Sequence, residues 1–569
     1  MKLRITTALL AAVLASPAPA AEPTTTVIMN GTVIDPATEK ITPNATVTLK
    51  GDRIAEVSPG GQKKPVENAE VIDARGKFIL PGYIDTHVHF FQSGGLFTRP
   101  DAIDLTSVRP YSEDHAWIER NMSDTFARYL RSGITSVVDV GGPMWNFRLR
   151  KLARSVEKAP RIAVAGPLIS SVARPQLVLN DDPPIVKIDT PEKAVELVQK
   201  LAEQKPDFVK IWYIVPPRPP IPPVPPAPPG EKPQPAPPPP PDDSAERAAI
   251  YRPVVRAVIQ ESKKRKLRVA VHATELEAAR AAVEEGADLL VHSVTDKPVD
   301  DAFVRLLKER GTILTPTLVV FERYSRTFAN RLELTREEKA WGNPEIVASL
   351  DVTKLPPDKV PERIKTSLAE ADAVVTRVQQ TYAIALKNLK TLHDAGVTIA
   401  TGTDAGNIGT IHGPSIFREF QLMKEAGLTP MEILRCTTAN AARTFGGETG
   451  ASIGSISAGK FADLVILNSN PLDDISRASD IHTVIKAGRP YDAASLVAEA
   501  RPARPEPFGQ IAEAYVKLVL AVGQHDSDYV DAYYGPPEWK AAAEKQRQPL
   551  EAIGEQALKL RATLKLGND

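Results

Sequence analysis

The feature that most narrows the fold is a rhythm through the middle of the chain, where short apolar segments are separated by helical stretches. The segments lie at 84–89, 135–140, 162–165, 208–212, 268–272, 289–292, 313–318 and 398–403. Buried-looking strands that alternate with helices make parallel βα units. Eight such units predict an α/β fold closed as a (β/α)8 TIM barrel, here over residues 81–446.

The two ends have a different texture. Residues 24–80 hold short, β-branched, alternating runs such as Thr32-Val33-Ile34-Asp35 and Ala45-Thr46-Val47-Thr48-Leu49, with turn residues between them. A similar patch returns at Asp463-Leu464-Val465-Ile466-Leu467 and Thr483-Val484-Ile485-Lys486. Neither patch makes a good sheet alone. A composite β-sandwich built from 24–80 and 447–495 is expected.

Three segments stand apart. Residues 1–20 read as a secretory signal: Lys2 and Arg4, an apolar run over 5–14, then the small-residue site Ala18-Pro19-Ala20. No later apolar run is long enough to span a bilayer, so an exported, periplasmic protein is expected. Residues 214–243 hold 17 of the 52 prolines and read as an extended polyproline arm leaving the barrel mouth. A lid or docking arm is one reading; a tolerated, solvated insertion is favoured. Residues 501–569 read as a proline-rich linker and a helical tail, an incomplete second domain.

Composition excludes some partners. The chain balances 70 basic against 70 acidic residues and has no basic stripe, which argues against nucleic acid and anionic membrane. A single cysteine, Cys436, rules out an internal disulfide and is expected as a small buried hydrophobe.

The chemistry begins at Pro81-Gly82-Tyr83-Ile84-Asp85-Thr86-His87-Val88-His89. Residues i and i+2 of a strand face the same side, so His87 and His89 point to one place inside the barrel. His272 and His292 end later strands, Asp404 follows another, and Lys210 sits inside the apolar Phe208-Val209-Lys210-Ile211-Trp212. Each stands where barrel enzymes place their chemistry. Burying so many ionisable groups together is costly, and a metal centre offsets the cost. A buried lysine tends to lose its proton, and its neutral amine can take up carbon dioxide as a carbamate.

This set resembles the amidohydrolase superfamily, within it the subgroup of imidazolonepropionase-like enzymes and metal-dependent Xaa-Pro dipeptidases. Gly402-Thr403-Asp404-Ala405-Gly406 with His412-Gly413, Thr437-Thr438-Ala439-Asn440-Ala441-Ala442, and Gly459-Lys460-Phe461-Ala462-Asp463-Leu464-Val465 extend the resemblance over roughly residues 24–490. The resemblance implies two divalent metal ions, zinc by default, with manganese, cobalt or iron as alternatives. One is held by His87, His89, N-carboxylated Lys210 and Asp404, the other by Lys210, His272 and His292. A hydroxide bridging them attacks the scissile carbonyl, and Asp404 is general base and then general acid. Lys210 favours this two-metal form over imidazolonepropionase itself. Asp85 is either a supporting partner of the histidines or structural.

The implied function is hydrolysis of non-aromatic C–N bonds in a small amide, an Xaa-Pro dipeptide or an N-acyl amino acid, by a homo-oligomer. Lactones, other esters or phosphotriesters are the alternative at the same site. A binding protein that lost catalysis is disfavoured because all six ligands are present. His412, Tyr213 and Gln92 are expected to contact substrate, with loop bracing the alternative for His412. The loop after Lys210 departs from the family: Trp212-Tyr213-Ile214-Val215 and the proline arm replace a small, glycine-containing loop. The remaining histidines, His115, His393, His482 and His525, read as surface or packing residues.

Overall fold

A computed structural model describes residues 25–60, 69–216, 242–497, 507–526, 529–530, 533 and 535–566. The signal reading at 1–20, most of the proline arm (217–241) and the linker up to 506 lie outside the described residues. The chain divides into two compact units, Met1–Val497 and Ala498–Asp569.

The first unit contains the parallel strands. Tyr83–Val88, Ile134–Asp139 and Arg161–Val164 form one sheet. Ile185–Lys187, Leu168–Ser170, Phe208–Trp212, Arg268–His272, Leu289–Val291 and Ile313–Thr315 form another, in that order and parallel throughout. Every residue of Tyr83–Val88 and Ile134–Asp139 is buried on both faces. Parallel strands covered on both sides are typically apolar throughout, so the buried Asp85, His87 and Asp139 stand out on these two.

Two details differ from the expectation of eight equal strands. Residues 161–170 serve both sheets: Arg161–Val164 pairs with Ile134–Asp139, and Leu168–Ser170 pairs with Phe208–Trp212. The break falls at Gly166, whose φ of 79° favours glycine. The eighth segment, 398–403, makes no continuous ladder. It bridges Ile399 to Leu314, and the following Ala405 bridges to Val88. Thr86 N donates to Thr401 O at 3.0 Å and Asp404 N to His87 O at 2.7 Å. The segment therefore stands between the first and seventh strands, held by single bonds. The fold is α/β with parallel sheets of TIM-barrel type.

The chain ends do combine, but in one eight-stranded sheet where a sandwich was expected. Its order is Arg489–Asp492, Ile481–Lys486, Leu464–Leu467, Phe78–Pro81, Thr25–Asp35, Lys40–Lys50, Arg53–Ser58, with Glu70–Asp73 beside Thr25–Asp35. The ends meet where Leu464–Leu467 runs antiparallel to Phe78–Pro81. Residues 447–452, expected in this domain, are helical instead. Ile28, Val47, Ile79, Leu464 and Ile485 form a separate apolar core under the sheet. The chain crosses from this sheet into the barrel at Gly82, where a Cβ would lie 2.2 Å from Thr135 Oγ1, so only glycine fits. The composite sheet thus holds the histidine strand at its root.

Cys436 is buried, as expected. Among its described residues the second unit holds three helices, Pro507–Val522, Pro537–Lys545 and Leu550–Leu566, the first packed on the other two. No described helix is long and apolar enough to cross a membrane.

Candidate metal centre

All six expected ligands line one cavity of about 350 Å³ at the strand ends. His87 and His89 share a face, with ring centroids 5.4 Å apart. His292 lies 4.7 Å from His87 and 4.3 Å from His272, centroid to centroid. Asp404 Oδ1 is 3.2 Å from His87 Nε2 and 3.3 Å from His89 Nε2. Lys210 is 1% exposed and enters from the middle of its strand.

The contacts at Asp404 are not ordinary hydrogen bonds. His87 Nδ1, His87 Nε2 and Asp404 Oδ1 are buried with no hydrogen-bond partner. Orphaned polar atoms at this depth cost about 1–3 kcal/mol each. Ligands about 2.0–2.1 Å from a tetrahedral cation stand roughly 3.3 Å apart. The two separations at Asp404 match that spacing, and the ligand atoms of His87, His292 and Asp404 all lie within 4.8 Å of one another. The donor set and its orphaned atoms fit a divalent metal.

Protonation supports the same reading. Burial pushes His87 down to about 3 against the pull of the Asp404 carboxylate. His272 and His292 are likewise held well below the usual range, chiefly by burial, with neighbouring cationic groups adding to it. Neutral imidazole is the coordinating form. Burial acts to raise Asp404, but His87 and His89 more than offset it, and its carboxyl stays well below the carboxylate range. Burial lowers Lys210 to about 7, against the pull of Asp404.

A further layer of residues sets the orientations. His89 Nδ1 donates to Gly141 O at 2.6 Å, which turns Nε2 toward Asp404. His292 Nδ1 lies 2.6 Å from Thr317 Oγ1. Such partners fix ring tautomer and angle. Asp85 accepts from His87 N at 3.2 Å, Thr403 N at 3.0 Å and Thr403 Oγ1 at 2.6 Å. It therefore ties the histidine strand to the Asp404 loop. Burial raises Asp85 to about 7. Glu419 accepts from Leu318 N and Val319 N at 2.9 and 2.8 Å, anchoring the first turn of helix Leu318–Phe328. That helix carries Phe321 and Tyr324 into the cavity wall. His292, Thr317 and Asp404 have φ of 76°, 46° and 60°. Positive φ at three non-glycine residues around one site is strain of the kind found at functional centres.

Tyr213, Gln92 and His412 do not line the cavity. Tyr213 donates its hydroxyl to Ala248 O and packs on Tyr251. It is three residues from Lys210 and so faces away, whereas Trp212, two residues on, faces in. His412 is clamped between the Tyr129 hydroxyl and Gln92 O, 2.8 Å each, and stacks on Phe90. Gln92 acts there through its backbone. These placements replace the expected substrate contacts with bracing. The rest of the wall includes Trp212, in the stretch after Lys210 that was expected to line the pocket, and Arg99, Tyr324 and Asn407, which sequence reasoning missed because they carry no periodic signal.

Fold and site together define an α/β chain of TIM-barrel type with a histidine-rich candidate metal centre. The chain belongs to the amidohydrolase family, whose profile matches residues 78–491. Among curated proteins it is 36% identical over 125 residues to an adenine deaminase of Rubrobacter xylanophilus, covering 19% of this chain and 20% of that protein. It is 39% identical over 70 residues to a dihydroorotase of Lactococcus lactis, covering 12% and 16%. The chain thus spans about a fifth or less of the length of these curated relatives. Among solved structures it resembles a Xaa-Pro dipeptidase with bound methionine, at TM-score 0.59, 23% identity, and coverage of 82% of this chain and 100% of that one. A molinate hydrolase gives TM-score 0.59 at 20% identity, covering 85% and 99%.

Proposed function

We propose that this protein hydrolyses a non-aromatic amide bond in a small molecule, an Xaa-Pro dipeptide or an N-acyl amino acid, using two divalent cations, most simply zinc. The observation that carries the reading is the convergence of His87, His89, Lys210, His272, His292 and Asp404 on one cavity with orphaned ligand atoms. His87, His89, Lys210 and Asp404 would hold one cation; Lys210, His272 and His292 would hold the other. Bound cations supply Lewis acidity and a water acidified to near neutral pH. Lys210, poised to lose its proton, is suited to carboxylation and so to serving both positions. Asp404 takes the proton of the attacking water and delivers it to the leaving nitrogen. Asp85 and Thr403 hold Asp404 in place for that transfer. Trp212, Phe321 and Leu168 supply an apolar wall that excludes bulk water around the substrate.

The reading extends to an exported, periplasmic protein, supported by the leader pattern of residues 1–20, and to a homo-oligomer, supported by the family resemblance. The test is hydrolysis of a dipeptide and N-acyl amino acid panel by zinc-reconstituted protein. Turnover that falls by about 10²–10⁴-fold in Asp404→Asn is expected. Turnover of lactones, esters or phosphotriesters, with none of the amides cleaved, would overturn the amide reading.

A further inference from the structure

Arg99, a residue of the cavity wall, belongs to a cluster of two arginines around one carboxylate. The Asp101 side chain is 2% exposed and serves two guanidiniums. Arg99 grips it with Nε and Nη2, both at 2.7 Å. Arg174 Nε approaches its second oxygen at 3.3 Å. Among the described residues, Asp101 is the one carboxylate in ion-pair contact with either arginine. In direct contact two positive charges meet one negative, with the Asp404 carboxylate acting on Arg99 from further away.

The cluster is placed for use. Arg99 lines the cavity with the metal ligands. Its Nη1 donates to Asn407 Oδ1 at 2.7 Å and to the Tyr324 hydroxyl at 3.0 Å, and Tyr324 in turn donates to Asn407. Asn407 Nδ2 donates to the backbone oxygen of Asp404 at 3.2 Å. The cluster is thus rigid and tied to the Asp404 loop. Arg174 lies over the Trp212 ring, 5.0 Å from its centroid, with a third of its side chain exposed. Trp212 is itself a cavity wall and contacts His272 edge to face. A partly desolvated cluster of two guanidiniums in contact with one carboxylate is stabilised by an anion from outside, and planar guanidinium pairs best with a carboxylate.

We propose that Arg99 and Arg174 anchor a free carboxylate on the substrate, so that this site takes N-acyl amino acids or dipeptides in their acid form. The inference rests on the amide-hydrolase reading and deepens it. A neutral lactone or phosphotriester offers nothing to this cluster. Arg99 and Arg174 are specificity-determining residues here, and neither handles the reacting atoms.

The test compares acids with their C-terminal amides, Ala-Pro against Ala-Pro-amide and N-acetyl-L-methionine against its amide, on the zinc-loaded full chain. Wild type should prefer the acids by about 10–100-fold in kcat/KM, the range of one charge-assisted hydrogen bond. Arg174→Gln, which changes a partly exposed side chain, should cut that preference several-fold through KM with kcat nearly kept. Arg99→Lys keeps the charge beside Asp101 but loses the fork, and should cut it further. Calorimetric titration with L-proline and L-prolinamide gives a readout independent of turnover. Equal turnover of acids and amides by wild type would overturn the anchor and leave the hydrolase reading standing. An acid preference untouched by both variants would also overturn it. If nothing is cleaved, the hydrolase reading falls and the titration decides: tighter L-proline binding lost in Arg174→Gln supports the anchor, and equal binding of the two probes overturns it.

Discussion

Two buried lysines in this molecule sit on strands and meet opposite fates. Lys486 ends Ile481–Lys486 in the composite sheet, and Lys210 stands inside Phe208–Trp212 in the barrel. Burial lowers both, Lys486 to about 8 and Lys210 to about 7. Around Lys486 the polar atoms find partners within the protein, and Asp52 adds a second negative charge to that of Asp463. Its Nζ donates to both Asp463 oxygens at 3.1 Å, Arg161 Nε reaches Asp463 Oδ2 at 2.6 Å, and Ala487 N adds a bond at 2.7 Å. Around Lys210 the ligand atoms of His87 and Asp404 are left orphaned. A depressed lysine alone therefore says little. Closed satisfaction marks a structural ion network that joins the sheet to the barrel; convergent orphaned atoms mark a site that needs an outside partner.

The comparison breaks most sharply on paired substitutions. Lys210→Met should remove most zinc uptake and reduce turnover at least about 10²-fold, with the thermal midpoint of the metal-free protein unchanged or raised. Lys486→Met should do the reverse: zinc content and kcat stay near wild type, and stability falls by about 3 kcal/mol because Asp463 loses a buried partner. Metal analysis and thermal melts on both variants check this. Equal effects on stability would erase the distinction.

A smaller effect is expected one layer out. Thr317→Ala removes the partner of His292 Nδ1 and should weaken zinc binding by about 10–100-fold, measured by competition with a chelator. No change would mean that His292 is oriented by packing alone.

The network around Lys486 also has a pH signature. Lys486 faces Asp463, Arg161 and Asp52, and its folded value lies below the unfolded one. Between about pH 8 and the usual lysine range, the unfolded chain therefore binds more protons at this position than the folded chain. The contribution of Lys486 to stability must rise with pH across that window. Denaturant midpoints of Lys486→Met subtracted from wild type should show that rise, and a flat difference would contradict it. The smallest effect belongs to Tyr213→Phe, which removes one hydrogen bond to Ala248 O. It should cost about 1 kcal/mol in stability and leave kcat/KM within about two-fold, as expected of a residue that faces away from the cavity.

The same contrast explains what was legible beforehand. His87, His89, Lys210, His272, His292 and Asp404 were legible because each interrupts or ends an apolar strand, where a polar residue needs a reason. Asp85 was visible beside them, but its grip on Thr403 spans the chain and follows from no local pattern. Arg99, Asp101 and Arg174 come from loops and meet only in three dimensions. The continuation of Arg161–Val164 into Leu168–Ser170 was missed because Gly166 and Pro167 read as the end of a strand. The single sheet at the chain ends was half legible: two patches too small alone had to combine, but alternation does not say whether one sheet or two results.

The most direct test of the account is metal stoichiometry of the full chain after equilibrium dialysis against zinc, with a His87→Ala/His89→Ala double variant beside it. The account predicts two zinc ions per wild-type chain and loss of at least one in the double variant. A wild-type chain that retains no zinc, or a double variant that binds as much as wild type, would contradict the claim that this cavity is a metal centre.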